Sequence, residues 1–229
     1  MINHKTKTRK PDGDGCKVLI VEDHPMFREH LAELIDREDG MFVCGEADNI
    51  QDAMRLVEET KPDIAIVDIT LKGSSGLELI KDIKARGIDL DVLILSMHDE
   101  EIYAERALRA GAKGYITKNE ASTEVLIAIR CVMTGEVYAS RQLTAKLLGR
   151  MTGNVPAADR DQWGKLSDRE LEVFLLLGRG KSTAEIAAAL NLSVSTVETY
   201  RSRIKDKLQL RSPAELYLIA GQWVRDHRA

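Results

Sequence analysis

LIVEDHPM, residues 19–26, runs a short apolar segment straight into two adjacent carboxylates, a histidine and a proline. Side by side, Glu22 and Asp23 repel each other; solvation makes the pair tolerable and a bound cation makes it useful. What decides between these is the set of partners that the rest of the chain brings to the same place. Four more apolar runs recur: FVC (42–44), IAIV (64–67), VLIL (92–95) and GYIT (114–117). A stretch with apolar positions at helical spacing follows each of the five: MFREHLAELIDR, IQDAMRLVEET, GLELIKDIKARG, EIYAERALRAG and STEVLIAIRCVMTG. Strand–helix units with near-continuous apolar strands predict a parallel sheet covered on both faces. Right-handed crossovers make it a five-stranded, doubly wound α/β sheet.

Ligands of such sheets sit beyond the carboxyl ends of the strands. The first strand delivers Glu22 and Asp23 there, the third Asp68, the fourth Ser96, and the fifth Thr117 and Lys118. Three acids with no histidine or cysteine ligand make a hard, oxygen-lined set, suited to Mg2+ rather than zinc. A cation there cancels the repulsion and neutralises an incoming phosphoryl group. The middle acid, Asp68, is then the nucleophile. Lys118 pairs with one phosphate oxygen and Ser96 donates to another. No Gly-x-x-x-x-Gly-Lys-Ser/Thr loop is present, and KGSSG (72–76) reads as a loop and helix start rather than a nucleotide cradle.

Residues 17 to about 137 resemble the receiver domain of two-component response regulators. VEDHPMFR, VDITLKGSSGLEL, LSMHDE, ALRAGAKGYITK and the spacing of Asp23, Asp68, Ser96 and Lys118 carry the resemblance. It implies that Asp68 accepts a phosphoryl group from a phosphohistidine on a sensor histidine kinase. It implies that Glu22, Asp23, Asp68 and the backbone carbonyl of Thr70 hold Mg2+. Ser96 stands where the family has Thr or Ser and moves toward the phosphoryl group; Tyr115 stands at the aromatic position that turns inward on activation. The chain departs from the family in two places. Leu71 and Lys72 replace a frequent Met-Pro, adding a cation that need not touch the site. Asn119 follows Lys118 where a cis proline is usual; a cis bond without proline costs several kcal/mol, so this loop is either trans or strained.

Composition sets the frame. The 229 residues suit one large domain or two small ones, and 44% hydrophobic with 31% charged residues describes a globular chain. Cys16, Cys44 and Cys131 are scattered and odd in number, which argues against a disulfide framework and fits a reducing compartment. MINHKTKTRKPDGDG has no apolar core of a signal peptide, and no run of 18 apolar residues spans a membrane, so a cytoplasmic location is expected. From Gly164 onward there are 11 Lys and Arg against 8 Asp and Glu, a charge of +3; the remainder carries 22 against 29, or −7. An acidic front and a basic back point to two domains with different partners.

Residues 139–163 break the α/β rhythm: a short helical pattern through Leu143, Leu147 and Leu148 gives way to Gly153, Asn154 and Pro156. Beyond lie four helical patterns. In LSDRELEVFLLLGRG, Ser167 and Glu170 form a capping box. STAEIAAALNL opens on Ser182 or Thr183 and turns Ile186, Ala187 and Leu190 inward. SVSTVETYRSRIKDKLQL carries Val197, Ile204 and Leu208 on one face, among cations. SPAELYLIAGQWV follows Pro213. Two short helices joined by a tight turn, the second basic, describe a helix-turn-helix. Residues 165–224 resemble the C-terminal DNA-binding domain of the NarL/FixJ and LuxR class. The resemblance makes 194–208 the recognition helix, with base contacts at Glu198, Thr199 and Ser202. Glu198 can accept from cytosine N4 and Thr199 can meet a thymine methyl. Ser182, Thr183, Thr196, Arg201, Arg203 and Lys205 are assigned to phosphate and positioning contacts.

The expected organisation is a tail over 1–16, a receiver over 17–137, a linker over 138–163 with its flexible part near 150–163, and an all-α, four-helix DNA-binding domain over 164–229. The expected function is transcription regulation on double-stranded DNA, phosphorylation-dependent, as a homodimer when active, with no substrate turnover. Two alternatives stand beside it: an aspartate-nucleophile phosphatase of the haloacid dehalogenase type, whose second acid would fall at Thr70, and a regulator independent of phosphorylation. An acidic receiver tethered to a basic domain also predicts that the unphosphorylated receiver covers part of helix 194–208.

Overall fold

Val18, Leu19, Ile20 and Val21 are all completely buried, which requires a central strand covered on both faces. In the computed structural model they form the end of β1 (Cys16–Val21). The structure describes residues 15–97, 100–141, 143–145, 149 and 161–226. Nearly all of the expected tail, Leu147, Leu148 and most of the 150–163 segment lie outside the described residues.

The first half alternates β1, α1 (Pro25–Asp36), β2 (Met41–Ala47), α2 (Ile50–Thr60), β3 (Ile64–Val67), β4 (Thr70–Leu71), β5 (Ser74–Ser75), α3 (Gly76–Ala85), β6 (Asp91–Ser96), α4 (Glu100–Ala110), β7 (Gly114–Thr117) and α5 (Ala121–Met133). The five long strands form one parallel sheet in the order β2-β1-β3-β6-β7. Side chains alternate across it. Leu19, Val21, Ala65, Val67, Val92 and Ile94 join the core with α2, α3 and α4. Val18, Ile20, Ile64, Ile66, Leu93 and Leu95 join the core with α1 and α5. Each such buried aliphatic side chain contributes roughly 1.5–3 kcal/mol. Strand order reverses between β1 and β3, so the crevice at their carboxyl ends is where a doubly wound sheet binds ligands.

KGSSG is more structured than a loop. β4 and β5 pair antiparallel, Thr70 opposite Ser75 and Leu71 opposite Ser74, with Gly73 turning at φ +71°. Two-residue strands carry no periodicity, so sequence patterning is blind to them.

The second half is helical: α6 (Asp161–Gly164), α7 (Asp168–Gly178), α8 (Thr183–Ala189), α9 (Val194–Lys207) and α10 (Pro213–Asp226). The Ser167–Glu170 capping box forms, and Ser182 caps α8 with a second box through Glu185. Each such cap is worth about 1 kcal/mol. Trp163, Phe174 and Trp223 pack as an aromatic trio with centroids 4.9–6.0 Å apart. Gly178 is needed where α7 crosses α10, since a methyl there would lie 2.3 Å from the Ala220 carbonyl. The three cysteines are free thiols. Among the described residues, no helix is long and apolar enough to cross a membrane.

Candidate functional site

The parallel ladder continues one residue past the strands and so fixes the acids at its edge. The Glu22 amide donates to the Ala47 carbonyl and the Asp68 amide to the Val21 carbonyl, both at 2.9 Å; the Lys118 amide donates to the Ser96 carbonyl at 2.8 Å. Glu22, Asp68, Ser96 and Lys118 are all buried. The Lys118 ammonium lies 2.5 Å from Glu22 Oε2 and 2.8 Å from Asp68 Oδ2, over the Phe27 ring at 4.8 Å. Burial pushes the Asp68 carboxyl up to about 6; Lys118 opposes the rise and Glu22 adds to it. Burial pulls Lys118 down, but Asp68 and Glu22 outweigh it and hold the ammonium above its ordinary value. At neutral pH the site therefore keeps a charged lysine beside an ionised carboxylate close to its titration point, a suitable poise for a nucleophile.

The ligating atoms drawn tightest are those of Glu22, Asp23 and His24, all within 4.8 Å of one another. His24 Nδ1 stands 3.1 Å from Asp23 Oδ1, and the His24 amide donates to Glu22 Oε1 at 3.0 Å. Asp68 is at the same edge but turns Oδ2 to Lys118. From sequence the expected donors were Glu22, Asp23, Asp68 and Thr70; the structure links Asp68 to Glu22 through the shared lysine and adds an exposed histidine that the sequence reading left out. Buried carboxylate oxygens are donors that fit a hard divalent cation such as Mg2+.

The neighbours of the site resolve what the sequence left open. The Lys118–Asn119 bond is trans, as are all described peptide bonds; the Glu120 amide closes the turn on the Thr117 carbonyl at 3.0 Å. Lys72 leaves the site for Asp48, 2.5 Å away. Tyr115 is already buried, with 1% exposure. Gly76 supports Asp68 directly: its amide donates to the Ile69 carbonyl at 2.7 Å, and a methyl on it would lie 2.0 Å from the Asp68 carbonyl oxygen.

In the helical half, α9 buries Val197 and Ile204, with Leu208 at its C-cap, and turns Glu198, Thr199, Ser202 and Arg203 to the surface. Its N-cap is Ser193, whose hydroxyl accepts from the Thr196 amide at 3.1 Å. The candidate DNA contacts divide by what they already hold. Ser182 uses its hydroxyl in the α8 cap, Thr196 pairs with the Ser193 hydroxyl at 2.8 Å, and Thr199 bonds back to the Ser195 carbonyl at 2.9 Å. Thr183, Glu198 and Arg201 are bonded to one another. Ser202, Arg203 and Lys205 have no side-chain hydrogen bond among the described residues.

The two halves meet through residues that sequence patterning did not single out. Asp168 is buried and takes Lys81 from α3 at 2.7 Å and Arg106 from α4 at 3.1 Å. Arg106 also donates to the carbonyls of Leu166 at 2.9 Å and Trp163 at 2.6 Å. Arg169 pairs with Glu172 and donates to the Leu71 carbonyl at 3.0 Å and to the Ser74 carbonyl, gripping the β4–β5 hairpin just beyond Asp68. The expected cover over helix 194–208 is thus corrected: the receiver docks on the start of α7, and the exposed side chains of α9 stay exposed. The polarity is also opposite to that expected, since cations of the acidic half meet an acid of the basic half. Net charge is a sum over a domain and does not locate its contacts.

Residues 18–130 match the family of response regulator receiver domains, and residues 164–220 match the luxR family of bacterial regulatory proteins. The chain is 33% identical over 204 residues to response regulator GacA of Pseudomonas aeruginosa, covering 89% of this chain and 94% of that protein. It is 37% identical over 204 residues to oxygen regulatory protein NreC of Staphylococcus aureus, covering 87% and 94%. A solved LuxR-family two-component response regulator from Aurantimonas is 33% identical, with a TM-score of 0.56 over 60% of this chain and 99% of that one. RcsB of Salmonella enterica serovar Typhimurium, solved bound to promoter rprA with phosphomimetic BeF3−, shares the fold at 21% identity, TM-score 0.57, over 91% and 99%.

Proposed function

The chain belongs to the response regulators that join a receiver to a LuxR-type DNA-binding domain, and within that phosphorylation-dependent transcription regulator we propose that Asp68 is the phosphoacceptor. The observation that carries this reading is the buried Asp68 carboxylate at the switch point of the sheet, 2.8 Å from the Lys118 ammonium. The donor is the phosphohistidine of a sensor histidine kinase. Glu22, Asp23, Asp68 and the Thr70 carbonyl would hold Mg2+, with His24 beside them; the ion would supply charge neutralisation for the phosphoryl group. Lys118 holds the acids in place and then pairs with the phosphoryl oxygens, while Ser96 donates to another of them. Thr70 offers no carboxylate two residues after Asp68, so the phosphatase alternative lacks its acid.

DNA is read by α9: Glu198, Thr199 and Ser202 face the bases, and Arg203 and Lys205, with no side-chain hydrogen bond among the described residues, face phosphates. Tyr217 and Leu218 of α10 are exposed, Leu218 at 65%, and offer an apolar surface to a second copy. The protein acts in the cytoplasm. A pool of random duplexes selected with the full chain, beryllofluoride and Mg2+ tests this part. The expected outcome is a two-fold site whose half-sites lie about 34–36 Å apart, protected by two chains as judged from the mass of the complex. Protection of a single half-site by one chain, or no enrichment, contradicts it.

A further inference from the structure

We infer that Arg201 is a positioning residue for base recognition: it holds the Glu198 carboxylate in its reading orientation rather than binding a DNA phosphate. The inference rests on the proposal above that α9 reads DNA. Arg201 Nη1 donates to Glu198 Oε1 at 2.6 Å and to Thr183 Oγ1 at 2.9 Å, and Thr183 Oγ1 donates to the same Glu198 oxygen at 3.1 Å. The guanidinium lies over the Tyr217 ring of α10 at 5.2 Å. Three helices therefore converge on one cation. The Arg201 side chain is only 16% exposed, whereas Glu198 is 52% exposed. A guanidinium stacked on an aromatic face and shared by two acceptors is poorly placed to follow a phosphate backbone.

Glu198 is unusual on a surface that must approach a polyanion. Unrestrained, its carboxylate would be repelled from the phosphates and would sample many rotamers. Anchoring Oε1 to Arg201 and Thr183 cancels much of its charge and leaves Oε2 with no hydrogen bond among the described residues. One fixed acceptor, on the same exposed strip as Thr199 and Ser202, suits a donor in the major groove such as cytosine N4. Arg201 thereby converts a liability into discrimination while contributing little to non-specific affinity.

The test uses the full chain with beryllofluoride and Mg2+ on a site selected from random duplexes and on a scrambled duplex of equal length. Arg201→Gln is expected to weaken binding to the selected site by on the order of tenfold, the discrimination of one good base contact. Binding to the scrambled duplex should not change, nor should the slope of log affinity against log salt. Arg201→Lys, which keeps one donor for Glu198, should restore part of the loss. In a Glu198→Ala background, Arg201→Gln should cost nothing further. Overturning results are a salt slope shallower by about 0.9, which marks a lost phosphate contact, or an equal loss on both duplexes, which marks a purely structural residue. If Arg201→Gln melts the domain, the same two comparisons are made with Arg201→Lys. Failure to enrich any duplex removes the DNA-reading proposal and this inference with it; an enriched site with a lowered salt slope removes this inference alone.

Discussion

With acetyl phosphate and Mg2+, the wild-type chain is expected to gain the mass of one phosphoryl group, and Asp68→Ala to gain none. Among the acids at the sheet edge, Asp68 alone combines burial, a titration point raised to about 6 and a direct contact with Lys118. Glu22 is equally buried, with Oε1 accepting from the His24 amide and Oε2 beside Lys118, and belongs with the proposed ligands of the cation. Asp23 is the more exposed acid and a proposed ligand of the cation. Asp23→Ala should therefore slow labelling and raise the Mg2+ needed, without abolishing it. Removing Asp68 leaves Lys118 paired with Glu22, so the fold survives and the loss is one of chemistry. Equal labelling of Asp68→Ala, or complete loss in Asp23→Ala at saturating Mg2+, would reassign the nucleophile.

Arg169→Ala is expected to undock the helical half from the receiver. Arg169 and Glu172 are 4% and 1% exposed, and the arginine is what makes burial of that carboxylate tolerable. Removing one partner of a buried pair costs about 3–5 kcal/mol, and separation relieves the cost by letting water reach Glu172. At about 1.4 kcal/mol per factor of ten, the docking equilibrium shifts by roughly two orders of magnitude or more. Hydrogen exchange of amides in the β4–β5 hairpin and in residues 166–172 reads it directly. Adding Glu172→Gln should restore part of the protection, because the uncompensated charge is gone. Burial pushes Glu172 up to about 7 against the pull of Arg169, so the docked form holds the proton more tightly than the undocked one. That contribution is fully present below the ordinary carboxyl value of 4.5 and is lost as pH rises through about 7. Wild-type protection should accordingly be stronger at pH 6 than at pH 8. Unchanged protection in Arg169→Ala would show that the polar cluster does not hold the halves together.

What could be read from sequence and what could not divide along physical lines. The five long strands were legible because a strand buried on both faces is apolar without interruption, as IAIV and VLIL are. Their carboxyl ends then put Glu22, Asp23, Asp68, Ser96 and Lys118 in one crevice by topology alone. The caps at Ser167 and Ser182 were legible because a capping box is local. Long-range pairing was not: Arg169 meets a hairpin some 95 residues away, and nothing in its neighbourhood distinguishes it from a solvated arginine. Asp168 is an acid of the first turn of α7, yet it is also the anchor for Lys81 and Arg106. Arg201 was grouped with the phosphate contacts because it lies on a basic helix; that it also bonds Thr183 and stacks on Tyr217, from two other helices, is not visible in sequence.

The docked arrangement leaves the exposed side chains of α9 open, so on the proposed function phosphorylation is expected to act by freeing the helical half rather than by uncovering it. The hairpin that Arg169 grips begins at Thr70, two residues past Asp68, which places the grip within reach of any rearrangement at that carboxylate. Affinity of the full chain for its selected duplex, measured by fluorescence anisotropy at fixed salt with and without beryllofluoride and Mg2+, tests that link most directly. The account predicts tighter binding with beryllofluoride, by about tenfold or more for a coupling in the usual range, and no response in Asp68→Ala. Equal affinity in both conditions, or an undiminished response in Asp68→Ala, would contradict it.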